Sequence, residues 1–588
     1  MDNPKETNNK ADLVFGIAKK KIPSFQQFKY LGSVLSLKER WILDVCGGIL
    51  ILALLTGAVY TYFFNTEQVP QKGGEYSEGL VGMPEKINPI LAQTNDVDMD
   101  LSYLVFSGLF KYNENQELEN DLATNYEISE DLKTYTFYLR RDAKWHDGEP
   151  LNVDDVLFTI ASIQDVNYQS PLEPSLRGAT AEKIDDYSFK MTLQDPFSPF
   201  LSSMTFGILP KHIWYDIYKI SPQNVFLTEY NIQPIGSGQY MFDSLVKDKT
   251  GNIKSYQLIP FPDYYGAKPN LQKLNFTFYF DVFEAVDALA NKKIDGLFSV
   301  PLESKEDLVK RNRKEQIYNV KLPQYTALFF NQDRSDVLDN DSVRQALVWG
   351  VDRTQIINDV LNSAGEPVYT PILKGYIGHN ADVEKYGFEI EKGKSILEEG
   401  GWKVPEGEQY RKKGDQVLEF TIVTVDQPEY LDTLDILKKN WESMGFKINI
   451  DSYAVQDITD TVIKDRNYEA LLFGEIAGTD PDPYAFWHSS QQEHPGLALS
   501  IFYQKDIDNL LETARQTTDA EQRRLKYFHF QNVLAEEIPA IFLYQPTYIY
   551  AVNKKIKGVT VNNIPLPSGR FAGIEDWYIE TQRIRKKK

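Results

Sequence analysis

The chain has 588 residues, 42% of them apolar and 13% aromatic, which is typical of a folded protein and too long for one hydrophobic core. Its formal net charge of −21 argues against a nucleic acid as the partner. A single cysteine, Cys46, excludes an internal disulfide and a zinc site built from several cysteines.

The first predicted element is a membrane-spanning helix. The 20 residues from Val45 to Phe64 carry no charge, and at about 1.5 Å per residue they would span roughly 30 Å, the thickness of the hydrocarbon core. Basic residues are frequent before this run, and the next one after it is Lys72. The positive-inside rule therefore predicts that the region before the run is cytoplasmic and the region after it is outside.

This pattern predicts a cytoplasmic segment over residues 1–40, an uncleaved anchor over 41–64 and a polar linker over 65–75. A cleaved signal peptide is the alternative, but the basic region and the apolar run are both long for one. Cys46 lies at the start of the apolar run, where a lipid attachment site would not be placed.

Residues 112–160 predict a short β-meander followed by a helix. Residues 123–128 have strand character, and residues 134–139 alternate in the manner of a strand with one buried face. Asn152 is a suitable N-cap for the helix that follows. We predict that His146, in the string KWHDGEPLNVDDV, is a packing and hydrogen-bonding residue rather than a metal ligand.

The middle of the chain contains several local signals. The stretch PIGSGQY over 234–240 predicts a tight turn that contains Ser237. Asp281 begins a helix as its N-cap. Residues 325–331 predict a strand that ends at Asn331.

Residues 418–450 predict a strand, an amphipathic helix and a second strand, which together imply a parallel pair. Gly445 is placed to end the helix. Asp506 and Asp519 are predicted to cap two later helices, and the strand-like run that contains Tyr544 follows them.

The string GEIAGTDPDPYAFW over 474–487 is the strongest candidate for a binding loop. It follows a strand-like run, and its Asp and Pro residues also suit a rigid turn. The candidate ligand contacts in it are Gly478, Thr479 and Asp480.

The string KWHDGEPLNVDDV, the turn over 234–240 and the strand-like run IPAIFLYQ resemble the family 5 extracellular solute-binding proteins, the receptors of peptide and nickel ABC importers. The resemblance covers about residues 74–580. It implies an α/β fold of periplasmic-binding-protein-like class II with two lobes and three domains, here preceded by one transmembrane helix. The implied domains are domain I over 76–110, 200–320 and 546–588, domain II over 111–199, and domain III over 321–545.

The resemblance also implies a ligand site between the lobes. Peptide-binding relatives carry an aspartate that pairs with the ammonium group of the ligand, and alignment on Asp482 puts Thr479 at that position with Asp480 beside it. The implied ligand-binding residues are Ser237, Asn331, Gly478, Thr479, Asp480 and Tyr544.

The implied function is a membrane-anchored receptor of an ABC importer that closes its lobes on an oligopeptide or similar elongated solute. Its partners would be the solute, the permease subunits and the cytoplasmic membrane. A nickel or metallophore receptor, or a sensor, is the alternative within the binding class. A hydrolase is the alternative outside it, and no Gly-x-Ser-x-Gly, phosphate loop, dinucleotide motif or His-Glu-x-x-His supports it.

Two further features have ordinary explanations. His488 and His494 could together help to bind Ni²⁺, but a solvated loop explains the pair better. The basic residues over 583–588 predict a frayed, solvated end, with contact with anionic lipid as the alternative. We expect no catalytic residue, resident metal or cofactor.

Overall fold

The computed structural model describes residues 35–311, 314–478, 482–494 and 496–586, apart from the side chains at 455, 456 and 460. The chain divides into two compact units. One contains the residues up to Gln71 together with those from Glu580, and the other is Lys72–Ile579. Most of the predicted cytoplasmic segment lies outside the described residues, and the division into three domains stays a prediction.

The helices are α1 Leu37–Asn65, α2 Asp96–Val105, α3 Val153–Gln164, α4 Glu173–Leu176, α5 Lys211–Ile220, α6 Val282–Ala290, α7 Leu302–Arg311, α8 Asp341–Trp349, α9 Arg353–Asp359, α10 Ile390–Glu399, α11 Pro428–Ser443, α12 Val455–Ile458, α13 Tyr484–Trp487, α14 Lys505–Arg515 and α15 Ala520–Glu537.

The strands are β1 Thr66–Pro70, β2 Glu75–Val81, β3 Phe110–Tyr112, β4 Leu118–Asn120, β5 Ala123–Ile128, β6 Thr134–Leu139, β7 Thr180–Asp185, β8 Ser188–Thr192, β9 Tyr240–Lys247, β10 Ile253–Pro260, β11 Lys273–Tyr279, β12 Gly296–Leu297, β13 Glu315–Lys321, β14 Gln324–Phe330, β15 Gly365–Pro367, β16 Lys412–Lys413, β17 Gln416–Val417, β18 Glu419–Val425, β19 Lys447–Tyr453, β20 Ala470–Ile476, β21 Ala540–Asn553 and β22 Thr581–Arg585.

In the first unit, α1 is a 29-residue helix with no buried residue and a mean hydropathy of 2.3 over its most apolar window. Ser36 and Glu39 form a reciprocal capping box that fixes where it begins. The helix is therefore longer than the predicted anchor and would extend over about 43 Å. Its length and composition suit a membrane span or a signal sequence.

Strands β1 and β22 form an antiparallel ribbon directly after α1, with Thr66 opposite Arg585 and Pro70 opposite Thr581. The predicted linker over 65–75 therefore contains a strand. The prediction of a frayed end was wrong for residues 583–585, because their backbone groups pair with a strand more than 500 residues earlier in the chain.

In the second unit, ten strands of a 12-stranded mixed sheet run in the order β19-β18-β20-β14-β21-β12-β2-β11-β10-β9, and the other two, β13 and β15, pair with β21. The 14-residue strand β21 pairs with β12, β13, β14 and β15, so it is the continuous element along which the two ends of the sheet are joined. The predicted strand-helix-strand unit is confirmed: β18 and β19 are parallel, α11 connects them, and Gly445 has a positive φ of 96°.

A separate four-stranded sheet, β5-β6-β8-β7, contains the predicted meander, and β6 alternates between half-buried and buried residues. Asn152 caps α3 in a capping box and Asp519 caps α15, as predicted. The prediction for Asp506 was wrong, because the side chain of Gln504 accepts the hydrogen bond from the Asp506 N–H and is itself the N-cap of α14.

A buried network of ion pairs and hydrogen bonds connects α2, strand β2 of the sheet and the segment that contains Arg570. The Nε of Arg570 donates to Glu78 Oε1 at 2.7 Å, and its Nη1 donates to Asp100 Oδ1 at 2.8 Å. These three side chains are at most 5% exposed. Tyr76 and Tyr550 each donate a hydroxyl hydrogen bond to Glu78 Oε2. Burial opposes the charge of Arg570, but Asp100 and Glu78 raise its pKa well above the usual value.

We expect Arg570→Met to lower the free energy of unfolding by about 3–5 kcal/mol, because it leaves two carboxylates buried without their cation. Urea unfolding of the full chain in detergent, followed by tryptophan fluorescence, measures this. Arg524→Met is the matched control, because Arg524 forms an exposed pair with Glu521 and should cost at most about 1 kcal/mol. Equal losses in the two variants would contradict a structural role for the network.

Candidate functional site

A cavity of about 610 Å³ lies at the ends of α2 and β20. Its walls come from the C-terminal half of α2 and the residues after it, the β3–β4 hairpin, the turns at 202–207 and 238–239, and the segment 560–576. Gly478, two residues beyond the end of β20, closes one side. The cavity has the size of ordinary small-molecule sites, which are about 300–1,000 Å³.

The turn over 234–240 forms one wall because its glycines allow close backbone approach. The Gly238 N–H donates to the Val105 carbonyl at 2.8 Å. A Cβ on Gly238 would lie 2.6 Å from the Leu104 carbonyl oxygen, which a substituted residue could not accommodate without movement. Ser107 Oγ donates to the Ser237 carbonyl at 3.1 Å and fixes the same turn from the other side.

His146 holds this turn in place as a neutral side chain. The Gly236 N–H lies 3.2 Å from His146 Nδ1, which must therefore accept, while Nε2 donates to the Gly238 carbonyl at 3.1 Å. Burial lowers the pKa of His146 to about 4. The predicted packing and hydrogen-bonding role of His146 is thus confirmed.

The lining of the cavity is acidic and aromatic. Lys111 is the single basic residue among the described residues that line it, against five acidic ones: Glu114, Glu119, Asp121, Glu575 and Asp576. The aromatic lining residues are Tyr103, Phe106, Phe110, Tyr112, Phe206, Tyr264 and Phe571. Carboxylates and ring faces both attract positive charge, so the cavity favours a cation.

Glu575 and Asp121 are two of the five acidic residues that line the cavity. Burial and then the negative charges of Glu575 and Asp121 raise the pKa of Tyr103 above its usual value. Asp121 is 8% exposed and accepts a hydrogen bond from Tyr265 at 2.7 Å. Within the part of the chain that the structure describes, the half-buried Glu575 carboxylate has neither a hydrogen bond nor an ion pair.

The structure places the sequence-predicted site residues in different surroundings. Gly478 lines the cavity with a φ of +76°. Ser237 is buried behind the wall formed by Gly238, and its Oγ has no partner among the described residues. Thr479 and Asp480 lie outside the described residues.

Asn331 and Tyr544 are buried away from this cavity. Asn331 Nδ2 donates to the Arg466 carbonyl at 3.0 Å. The Tyr544 hydroxyl donates to Glu429 Oε1 at 3.0 Å, and Glu429 lines a second cavity of about 720 Å³ that also borders Arg570. Neither residue lines the 610 Å³ cavity, and their proposed ligand contact stays a prediction.

Sequence reasoning missed the segment 560–576 and the hairpin residues before Asp121. No motif marks either stretch, and they meet only because the chain folds back over more than 400 residues. The excess of acidic residues in the composition is the only sequence feature that could have indicated an acidic site, and it does not show which acidic residues lie close together in the fold.

The base of the Gly478 loop contains a buried acid. Glu475, near the end of β20, is 5% exposed and accepts a hydrogen bond from the Tyr325 hydroxyl. Its second carboxyl oxygen has no partner among the described residues. Burial raises its pKa to about 8, so it is largely protonated at neutral pH.

The structure offers no preformed metal centre in its described part: no group of three or more His, Cys, Asp or Glu side chains there could hold an ion. Of the predicted histidine pair, His488 is buried and contacts Ser490 at 2.8 Å and Glu512 at 3.3 Å. His494 is exposed.

Residues 117–495 match the bacterial extracellular solute-binding proteins, family 5 middle region. The chain is 26% identical over 528 residues to the oligopeptide-binding protein AppA of Bacillus subtilis (strain 168), covering 87% of this chain and 92% of AppA. It is 25% identical over 530 residues to the dipeptide-binding protein of Escherichia coli (strain K12), covering 84% and 93%.

Solved structures of solute-binding proteins are also similar to this chain. NikZ from Campylobacter jejuni in complex with Ni(L-His) superposes with a TM-score of 0.72 at 26% identity over 86% of this chain and 99% of NikZ. The ABC transporter substrate-binding protein CtaP from Listeria monocytogenes gives 0.74 at 26% identity over 87% and 100%. The expected α/β fold of periplasmic-binding-protein class II is confirmed.

We expect Glu475→Gln to become increasingly more stable than the unsubstituted chain as pH rises from about 5 to 8. The folded pKa of Glu475 is raised to about 8, so the stability that its protonated form contributes is present below the unfolded pKa and is lost as pH rises. The gap should widen by about 4 kcal/mol across this range, at about 1.4 kcal/mol per pH unit.

Urea unfolding at pH 5, 6.5 and 8 measures this gap. Glu399→Gln, at an exposed position at the end of α10, is the control and should show no such trend. A gap that stays constant with pH would refute the assignment of a protonated Glu475.

Proposed function

The chain belongs to family 5 of the bacterial extracellular solute-binding proteins, and on that premise we propose that it is a membrane-anchored receptor that delivers an oligopeptide or similar elongated solute to an ABC importer. The single observation that carries the proposal is the acidic, aromatic cavity that Gly478 closes. The names of the two curated relatives, one oligopeptide-binding and one dipeptide-binding, support the peptide class.

The cavity chemistry supports a solute with a positively charged group. Five acidic side chains and one lysine line it, and the Glu575 carboxylate is not neutralised within the described chain. A lysine, arginine or terminal ammonium that leaves water needs such an acceptor, because its desolvation is otherwise uncompensated. Peptides with a basic side chain or a free amino terminus therefore suit this cavity better than neutral or acidic ones.

The aromatic side chains would act on the same group. Tyr103 and Tyr264 line the cavity, and burial, followed by nearby negative charges that include Asp121, raises the pKa of each. Both phenols stay protonated at physiological pH, and their ring faces can stack against a guanidinium or an ammonium.

A nickel chelate is the second candidate, and the similarity to NikZ in complex with Ni(L-His) favours it. The described residues contain no cluster able to ligate an ion. A metal already held by its chelator would be recognised through the chelator's own charged groups.

Helix α1 would serve as an uncleaved anchor with its N-terminal side in the cytoplasm. Its apolar run is long enough for the hydrocarbon core, and the family is extracytoplasmic. The protein would act by binding and lobe closure without covalent chemistry.

We expect the full chain to bind a lysine-containing peptide more tightly than the same peptide with acetyl-lysine, by about tenfold or more, as judged by isothermal titration calorimetry. Glu575→Gln should weaken binding of the cationic peptide by about five- to a hundredfold and leave the acetylated one nearly unchanged. Glu399→Gln, far from the cavity in sequence and exposed, is the matched control.

Three results would count against this function. One is equal affinity for the charged and acetylated peptides, and another is tight binding of Ni(L-His) with no peptide binding. Turnover of any peptide that stops on a single side-chain change would instead support a hydrolase.

A further inference from the structure

The most unusual feature outside the cavity is the ribbon of β1 and β22 that begins where α1 ends. The Lys586 N–H donates to the Asn65 carbonyl at 2.9 Å, and the register pairs Thr66 with Arg585 and Gln68 with Arg583. Strand β22 therefore runs back towards the end of α1, and its basic residues come progressively closer to that end.

The basic residues of the ribbon share one face. Directly opposite residues of an antiparallel pair lie on the same side, and successive residues alternate. Thr66, Gln68, Arg583 and Arg585 therefore form one face, with two positive charges and no acidic residue. Glu67, Val69, Gln582 and Ile584 form the other.

The basic residues also contact the exposed aromatic end of the helix. The Arg583 guanidinium lies 4.2 Å from the Phe63 ring centroid, and Lys586 Nζ lies 5.4 Å from that of Phe64. Phe63 is 52% exposed and Phe64 is 63% exposed. Aromatic rings at the end of an apolar helix are typical of the level of lipid headgroups.

From this geometry we infer that the cationic face of the ribbon, formed by Arg583 and Arg585, binds anionic phospholipid headgroups of the outer leaflet, and that Lys586, beside the end of α1, adds a third positive charge to this contact. The inference rests on the anchor in the proposed function. If α1 spans the membrane, Asn65 is at its outer surface, and these charges lie within about one Debye length, ~10 Å, of the headgroups.

The consequence would be a receptor with restricted reach. A single flexible linker would allow the receptor unit a wide range of distances from the membrane. A five-residue ribbon, by contrast, is only about 17 Å long and limits that distance. Both ends of the Lys72–Ile579 unit lead into this ribbon. Lipid binding would hold the ribbon against the membrane surface.

The test uses the full chain in nanodiscs with a fluorescent label and a headgroup-quencher lipid. In a Cys46→Ser background, the label is placed on Gln68→Cys, on the cationic face, or on Gln582→Cys, on the opposite face. Both glutamines are exposed. Quenching at position 68 should be at least about twofold stronger in phosphatidylglycerol than in phosphatidylcholine nanodiscs and should fall in 0.5 M salt. Quenching at position 582 should change little.

Charge variants distinguish binding of anionic lipid by the basic side chains from simple proximity of the ribbon to the membrane. Each basic residue near an anionic surface is worth about fivefold in binding, so the triple variant R583Q/R585Q/K586Q should abolish the lipid dependence at position 68. The control K247Q/K249Q/K254Q removes three exposed lysines of the β9–β10 hairpin and should leave it intact. The variant R583K/R585K, which keeps the charge, should also preserve it.

Equal quenching in the two lipids, or an unchanged lipid dependence in the triple variant, would overturn the inference. Peptide titration of the same nanodiscs keeps this result separate from the receptor function. The triple variant should bind peptide as the unsubstituted chain does, and loss of peptide binding in every sample would instead refute the proposed function. A chain cleaved near residue 65 and not retained in nanodiscs would refute both the anchor and the lipid contact.

Discussion

The buried contact of Arg570 with Glu78 and Asp100 is the interaction on which the rest of the receptor unit depends. It joins β2, α2 and the segment around residue 570, and Tyr550 connects it to β21. The end of α2 and the segment 560–576 are two walls of the cavity. The shape of the cavity therefore depends on three ionic hydrogen bonds of Arg570 to residues that lie 470 and 492 positions away in the chain.

The site combines a neutral frame with a charged lining. Glu475 is buried and His146 is half-buried, and burial moves the pKa of each towards its uncharged form. The wall that His146 fixes and the strand that leads to Gly478 are thus built without uncompensated charge. The carboxylate of Glu575 remains half-exposed at the cavity, where a solute cation can reach it. Under the proposed function, this division would leave negative charge at the cavity free to pair with a cationic group of the solute.

Sequence analysis predicted the elements whose signals are local. The alternation in β6, the caps Asn152 and Asp519, and the β18–α11–β19 unit depend on neighbouring residues, and all appear in the structure. The pairing of β22 with β1 depends on residues far apart in the chain, and the sequence gives no sign of it. Among the site residues, Gly478 was predicted from the sequence of its loop. Asp121 and Glu575 were not predicted, because only the folded structure brings them to the same cavity.

The central claim is that this chain is a receptor for cationic, peptide-like solutes. Mass spectrometry of the small molecules that copurify with the full chain, released by denaturation and compared with those released by the Glu575→Gln variant, tests it most directly. The account predicts peptides enriched in lysine, arginine or free amino termini from the unsubstituted chain, and markedly fewer from the variant. Recovery of nickel chelates, sugars or acidic peptides in equal amounts from both would contradict it.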